Sequence, residues 1–133
     1  MISRKCIAVA LLAACASPAA AFDFSFDWGN IPLCNDARAH SVPSPVFTFK
    51  DVPEGTKFID LRMVDLDYKP ADHGGGLISW PGGTSGKIPA GAFKYNSPCP
   101  PKGNHTYEWT ATARTKKMGG KIGTAKARRS YPK

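Results

Sequence analysis

FIDLRMVD, residues 58–65, alternates Ile59, Leu61 and Met63 with Asp60 and Arg62. An extended chain turns that period of two into one apolar and one polar face. Its apolar face is expected to be buried. TYEWTATA, residues 106–113, repeats the pattern, with Tyr107, Trp109, Ala111 and Ala113 on one side and Thr106, Glu108, Thr110 and Thr112 on the other. Between the two lie Gly74-Gly75-Gly76, Gly82-Gly83, Gly86 and Pro98-Cys99-Pro100-Pro101. Such frequent punctuation leaves no room for a helix of ordinary length. The chain upstream reads the same way. FDFSFDW at 22–28 suits an edge strand with one aromatic face, ended by Asn30-Ile31-Pro32. Val42-Pro43-Ser44-Pro45 and Val52-Pro53-Glu54-Gly55 are turns flanking the short extended run 46–49. The sum is an all-β fold, an antiparallel sandwich or barrel.

The first residues, MISRKCIAVALLAACASPAAA, combine Arg4 and Lys5, an apolar run, and Ala19-Ala20-Ala21. This is the pattern of a secretory signal occupying residues 1–21. Two processing routes stay open: cleavage after Ala21, or lipidation at Cys15 in Leu12-Ala13-Ala14-Cys15. The apolar run is too short to cross a hydrocarbon layer of roughly 30 Å. A periplasmic or secreted location follows as an expectation. Removing Arg4 and Lys5 lowers the formal charge from +8 to +6, so the remaining domain of about 110 residues stays basic. It divides into a sandwich at 22–113 and a basic segment at 114–133 with eight Lys or Arg and no acid. Within that segment Thr124 is placed to cap one short C-terminal helix over 125–130. The basic segment reads as a solvated, partly frayed terminus, or as a contact for an anionic membrane surface or acidic partner; nucleic acid is not expected outside the cytoplasm. Only Cys34 and Cys99 survive removal of the leader. In an oxidising compartment they are expected to pair as a disulfide.

Continuing the inward parity of Ile59, Leu61 and Met63 brings Asp65 and then Asp67 to the buried side, and running the second strand backwards brings His105 in with Tyr107. If the two strands are antiparallel neighbours, an acid, an imidazole and a phenol meet at one mouth of the sandwich. Unpaired ionised groups are costly there, so such a cluster either satisfies itself or awaits a ligand.

Several motifs in order, Ser44-Pro45-Val46-Phe47, Val52-Pro53-Glu54-Gly55-Thr56, Asp65-Leu66-Asp67, Ile88-Pro89-Ala90-Gly91-Ala92 and Pro98-Cys99-Pro100-Pro101-Lys102-Gly103-Asn104-His105-Thr106-Tyr107, resemble the phosphatidylethanolamine-binding protein family in its bacterial periplasmic branch. The resemblance implies a Greek-key β-sandwich with a small pocket for phosphate or phosphate-like head groups. It implies ligand-binding roles for Asp65, Asp67, Pro100, His105 and Tyr107, and for His73 as the second pocket histidine. Leu66 stands where that family has proline between the acids, and Thr106 where arginine is common. Donors for an anion would be His105, the Tyr107 hydroxyl and backbone N–H groups near Gly74-Gly75-Gly76, with Asp65 orienting His105.

The leading expectation is therefore a non-catalytic, cofactor-free module that binds a small anionic ligand, such as a phospholipid head group. No serine has the setting of a hydrolase nucleophile. A metal site of Asp65, Asp67, His73 and His105, suited to zinc or copper, is the second reading. A protein-interaction or enzyme-inhibitor module is the third.

Overall fold

The computed structural model describes residues 21–132, so the leader expected at 1–21, with Cys15, lies outside the described residues except for Ala21. Nine strands follow in order: β1 (Asp23–Asp27), β2 (Ser41–Pro43), β3 (Val46–Lys50), β4 (Phe58–Asp65), β5 (Asp72–Ser79), β6 (Gly86–Ile88), β7 (Lys94–Asn96), β8 (His105–Arg114) and β9 (Lys121–Tyr131). They form a three-stranded sheet β1-β3-β6, a four-stranded sheet β5-β4-β8-β9 and the pair β2-β7. Every pairing is antiparallel. Among the described residues no helix is long and apolar enough to cross a membrane.

The alternation seen in the sequence sets the core. Phe24, Phe26, Phe47 and Phe49 are buried on one sheet; Ile59, Leu61, Met63, Tyr107, Trp109, Ala111 and Ala113 are buried on the other. Trp109 is the hub, meeting Phe47 edge-on at 5.3 Å and Tyr95 at 5.1 Å. Burial of each large apolar side chain contributes about 1.5–3 kcal/mol. The small side chains of Ala111 and Ala113 suit a core this crowded with rings. β1 is an edge strand, as its pattern implies.

The C-terminal segment differs from expectation. No helix forms over 125–130: β9 pairs with β8 from His105↔Tyr131 to Arg114↔Lys121. The alternation of Gly123, Ala125, Ala127 and Tyr131 facing inward explains why. A helix would scatter these positions around its circumference, whereas a strand presents them together. The basic run is thus woven into the sandwich and is no frayed tail.

A second difference concerns Gly74-Gly75-Gly76, which is strand and no anion-cradling loop. Gly74 N–H already donates to Asp72 Oδ1 at 2.8 Å, and Gly75 and Gly76 pair with Arg62 and Leu61. Gly75 is required by proximity. A Cβ there would sit 2.8 Å from the Leu61 carbonyl carbon and 2.9 Å from Arg62 Cα, with the Leu61 oxygen nearer still. Those neighbours are backbone of the central strand and cannot turn aside. Gly75→Ala is therefore expected to cost at least about 2–3 kcal/mol, read as a lower urea midpoint at unchanged slope.

Candidate functional site

β4 and β8 run antiparallel with Asp65 opposite Tyr107, so the last residue of one strand stands near the start of the other, two residues from His105. The His105 ring nitrogen Nδ1 lies 2.6 Å from Asp65 Oδ2. The other Asp65 oxygen, Oδ1, accepts the N–H of Asp67 at 2.8 Å and of Tyr68 at 3.1 Å, the arrangement by which an aspartate closes a turn on its own backbone. Burial opposes ionisation of Asp65, but the hydrogen bonds from His105 and the Asp67 and Tyr68 amides outweigh it and hold the carboxyl below its ordinary value of 3.8. A carboxylate only accepts, so Nδ1 of His105 carries the proton in this bond.

Asp67 does not follow the parity expected of it. The strand ends at Asp65 and the turn leaves Asp67 exposed, where Oδ2 accepts Thr106 N–H at 2.7 Å. Leu66 contributes its own backbone: its N–H reaches Thr106 O at 2.9 Å. Proline at this position could not make that bond, so Leu66 ties the turn to β8.

His73 reaches the site by an irregularity in β5. Gly75 faces Arg62 and Asp72 faces Val64, so His73 and Gly74 together oppose Met63. This extra residue is a β-bulge, and Gly74 holds the positive φ of 72° that such a bulge favours. Parity counted from Ile78 and Gly76 would have sent His73 outward; the bulge turns it in, where it is buried. Its Nδ1 donates to Asn96 O at 2.9 Å, which fixes the tautomer and leaves Nε2 without a hydrogen bond among the described residues.

Tyr107 stands between the imidazoles, its ring 5.3 Å from that of His73 and 6.4 Å from that of His105. It is fully buried, yet its hydroxyl has no hydrogen-bond partner. Burial first, and then the charge of Asp65, push its ionisation above the ordinary range. It is therefore a neutral O–H group beside the Asp65 carboxylate and the Cys99 backbone that closes a full hydrogen bond to neither.

These groups line one cavity of about 360 Å³, bounded by Asp65, Asp67, His73, His105, Tyr107 and Tyr68 on its polar side. Ala37, Ala39, Ala71, Cys99 and Pro101 complete the wall. Of the residues singled out in the sequence, Pro100 falls elsewhere. It borders a neighbouring hollow with Leu33, Cys34 and Tyr131, and its neighbour Pro101 is the one on the cavity. Tyr68, Ala37 and Ala39 escaped sequence reasoning. The two alanines arrive because Cys34 and Cys99 form a disulfide, with Cα atoms 5.2 Å apart, that lays the strap 29–40 over the cavity. The paired backbones of His40 and Ser97 secure its far end at 2.8 Å, with the Ser97 hydroxyl accepting His40 N–H at 2.9 Å. A cysteine pair 65 residues apart was the available signal.

Asp65, Asp67 and His105 also offer donor atoms within 4.8 Å of one another. His73 stands outside that group, so the four-ligand metal set read from the sequence is not assembled as such.

Neither protein-family models nor curated proteins match the chain. Among solved structures it is similar to a candidate phosphatidylethanolamine-binding protein homolog from Chlamydia trachomatis, with a TM-score of 0.57 and 20% identity over 85% of this chain and 98% of that one. The chain accordingly has the all-β sandwich fold of the phosphatidylethanolamine-binding protein type.

Proposed function

We propose that this chain is an exported binding module that holds a small anionic ligand, phosphate or a phospholipid head group, without transforming it. One observation carries the reading: His73, His105 and Tyr107 gather on the wall of one cavity, where the buried Tyr107 hydroxyl closes no full hydrogen bond. An unpaired buried hydroxyl costs about 1–3 kcal/mol, a cost that a ligand oxygen would remove. Nε2 of each imidazole is free to donate when protonated, while the negative charge of Asp65 is absorbed by two amides and His105. The disulfide and the leader pattern together support an oxidising, extracytoplasmic location.

Titration calorimetry with inorganic phosphate, phosphorylethanolamine and phosphorylcholine tests this. Tyr107→Phe is expected to weaken binding about tenfold, the loss of one hydrogen bond to a charged acceptor, while leaving the unliganded protein equally or more stable. His105→Ala is expected to abolish measurable heat. Binding that is indifferent to both substitutions would end the proposal. A head-group preference appears as heat with phosphorylethanolamine and none with phosphate.

The cluster of Asp65, Asp67 and His105 favours a second reading, a divalent metal site. Three of its four carboxylate oxygens already accept hydrogen bonds, so a metal would have to displace them. Zinc or copper retained through purification and lost on chelation would establish that reading instead.

A further inference from the structure

The positive charge of this protein is neutralised in one place and left bare in another. Glu108 is the last acid of the sequence. It draws in Arg128 Nε at 2.7 Å and Lys126 Nζ at 3.6 Å, so the middle of β9 is compensated. The β8–β9 hairpin is not. It carries Arg114, Lys116, Lys117 and Lys121, and among the described residues no ion pair engages any of the four.

Between those lysines the tip presents Met118, 90% exposed. The tip is built to hold that shape. Thr115 N–H donates to Gly120 O at 2.9 Å, and Gly119 and Gly120 take positive φ values of 87° and 62°. Ile122, at the start of β9, adds a second half-exposed apolar side chain. A fixed loop that surrounds a protruding thioether with uncompensated ammonium groups matches an interface with anionic groups at its surface and hydrocarbon just beneath.

We propose that the β8–β9 hairpin docks this protein on an anionic lipid bilayer, with Met118 in the interface and Lys116, Lys117 and Lys121 on the head groups. β8 spans the sandwich from His105 at the cavity to Arg114 at the hairpin, about 30 Å at the rise of an antiparallel strand. The docked protein therefore holds its cavity away from the bilayer and open to the aqueous phase.

Vesicle co-sedimentation of the protein as purified tests the proposal. Vesicles of phosphatidylcholine with about one third phosphatidylglycerol are compared with phosphatidylcholine alone, at low and at physiological salt. Retention is expected only on the anionic vesicles and is expected to fall with salt. Lys116→Gln with Lys117→Gln is expected to lower partitioning about 30-fold, and Met118→Ser about fivefold. The same loss of two charges at the other end, Lys69→Gln with Lys102→Gln, is expected to change it little, and the hairpin variants are expected to keep the parent's unfolding midpoint. Equal losses from the two charge pairs, equal retention on phosphatidylcholine alone, or binding to polyglutamate without binding to vesicles would each overturn the assignment. Ligand heats at the cavity are expected to be unchanged in the hairpin variants, which lie at the opposite end of β8, so failure here is distinguishable from failure of the binding reading.

Discussion

Asp65→Ala is expected to be the most damaging substitution in the site, lowering the unfolding free energy by about 3–5 kcal/mol. The side chain is buried and accepts three hydrogen bonds at once, from Asp67 N–H, Tyr68 N–H and His105 Nδ1. Truncation removes all three acceptor contacts and leaves the donors facing a void, at about 1–3 kcal/mol for each group that water cannot reach. The partly exposed turn amides fall at the low end of that range, and His105 at the high end. Asp65→Asn separates charge from shape. Its amide oxygen still accepts the two turn amides, so about half the loss is expected, concentrated on His105. Urea unfolding of the two variants checks this. Equal effects from Ala and Asn would mean that the turn contributes nothing.

The same carboxylate sets the acid limb of stability. Its folded-state value lies below the ordinary 3.8, so the unfolded chain takes up a proton at higher pH than the folded one does. Its contribution is therefore complete above about pH 5 and is lost as pH falls through the ordinary value toward the folded one. In Asp65→Asn this part of the pH dependence is expected to disappear, flattening the curve of midpoint against pH below 5. A parallel curve, displaced but equally steep, would assign acid sensitivity to other groups.

The meeting of Asp65 and His105 was legible because it needed only two facts that alternation supplies: which face each residue takes, and that two half-buried strands run side by side. His73 was not legible in that way. Its inward aim depends on one extra residue in β5, and nothing in the letters His-Gly-Gly-Gly separates a bulge from a loop. Asp67 failed for the opposite reason: parity was carried past the point where the strand ends, and a turn obeys no period of two. The helix expected over 125–130 rested on a capping threonine. Pairing with β8 overrode it, because ten register pairs and a buried small-residue face outweigh the roughly 1 kcal/mol that a cap supplies. Charge composition marked the C-terminal segment as basic, but only the fold separates cations held by Glu108 from those left bare at the hairpin.

Replacing Cys34 and Cys99 by serine is expected to lower stability by about 4 kcal/mol, the chain-entropy value for a loop of this length, and to weaken the ligand site with it. The disulfide closes a loop with a sequence separation of 65, about half the chain. A domain of this size retains roughly 5–15 kcal/mol, so the loss corresponds to a fall in melting temperature of about 15–25 °C. The coupling to binding follows from what the strap 29–40 otherwise has to hold it. It contains no strand before Ser41, and Leu33 at its centre is exposed. Its remaining ties are Ile31 packed against the core, the local bonds of Asp36 with Arg38 and His40, and the junction of His40 with Ser97 at its end. Without the disulfide Ala37 and Ala39 lose one of the two anchors that flank them and keep only the His40–Ser97 junction, while Asp65, His105 and Tyr107, built on β4 and β8, keep theirs. Ligand affinity is then expected to fall by tenfold or more in the serine variant even at temperatures where it is fully folded. Reducing agent is expected to do the same to the parent protein and nothing further to the variant. Calorimetry before and after reduction reads both effects. Undiminished affinity in the reduced, folded protein would show that the ligand is held by the strand residues alone and that the strap contributes only stability.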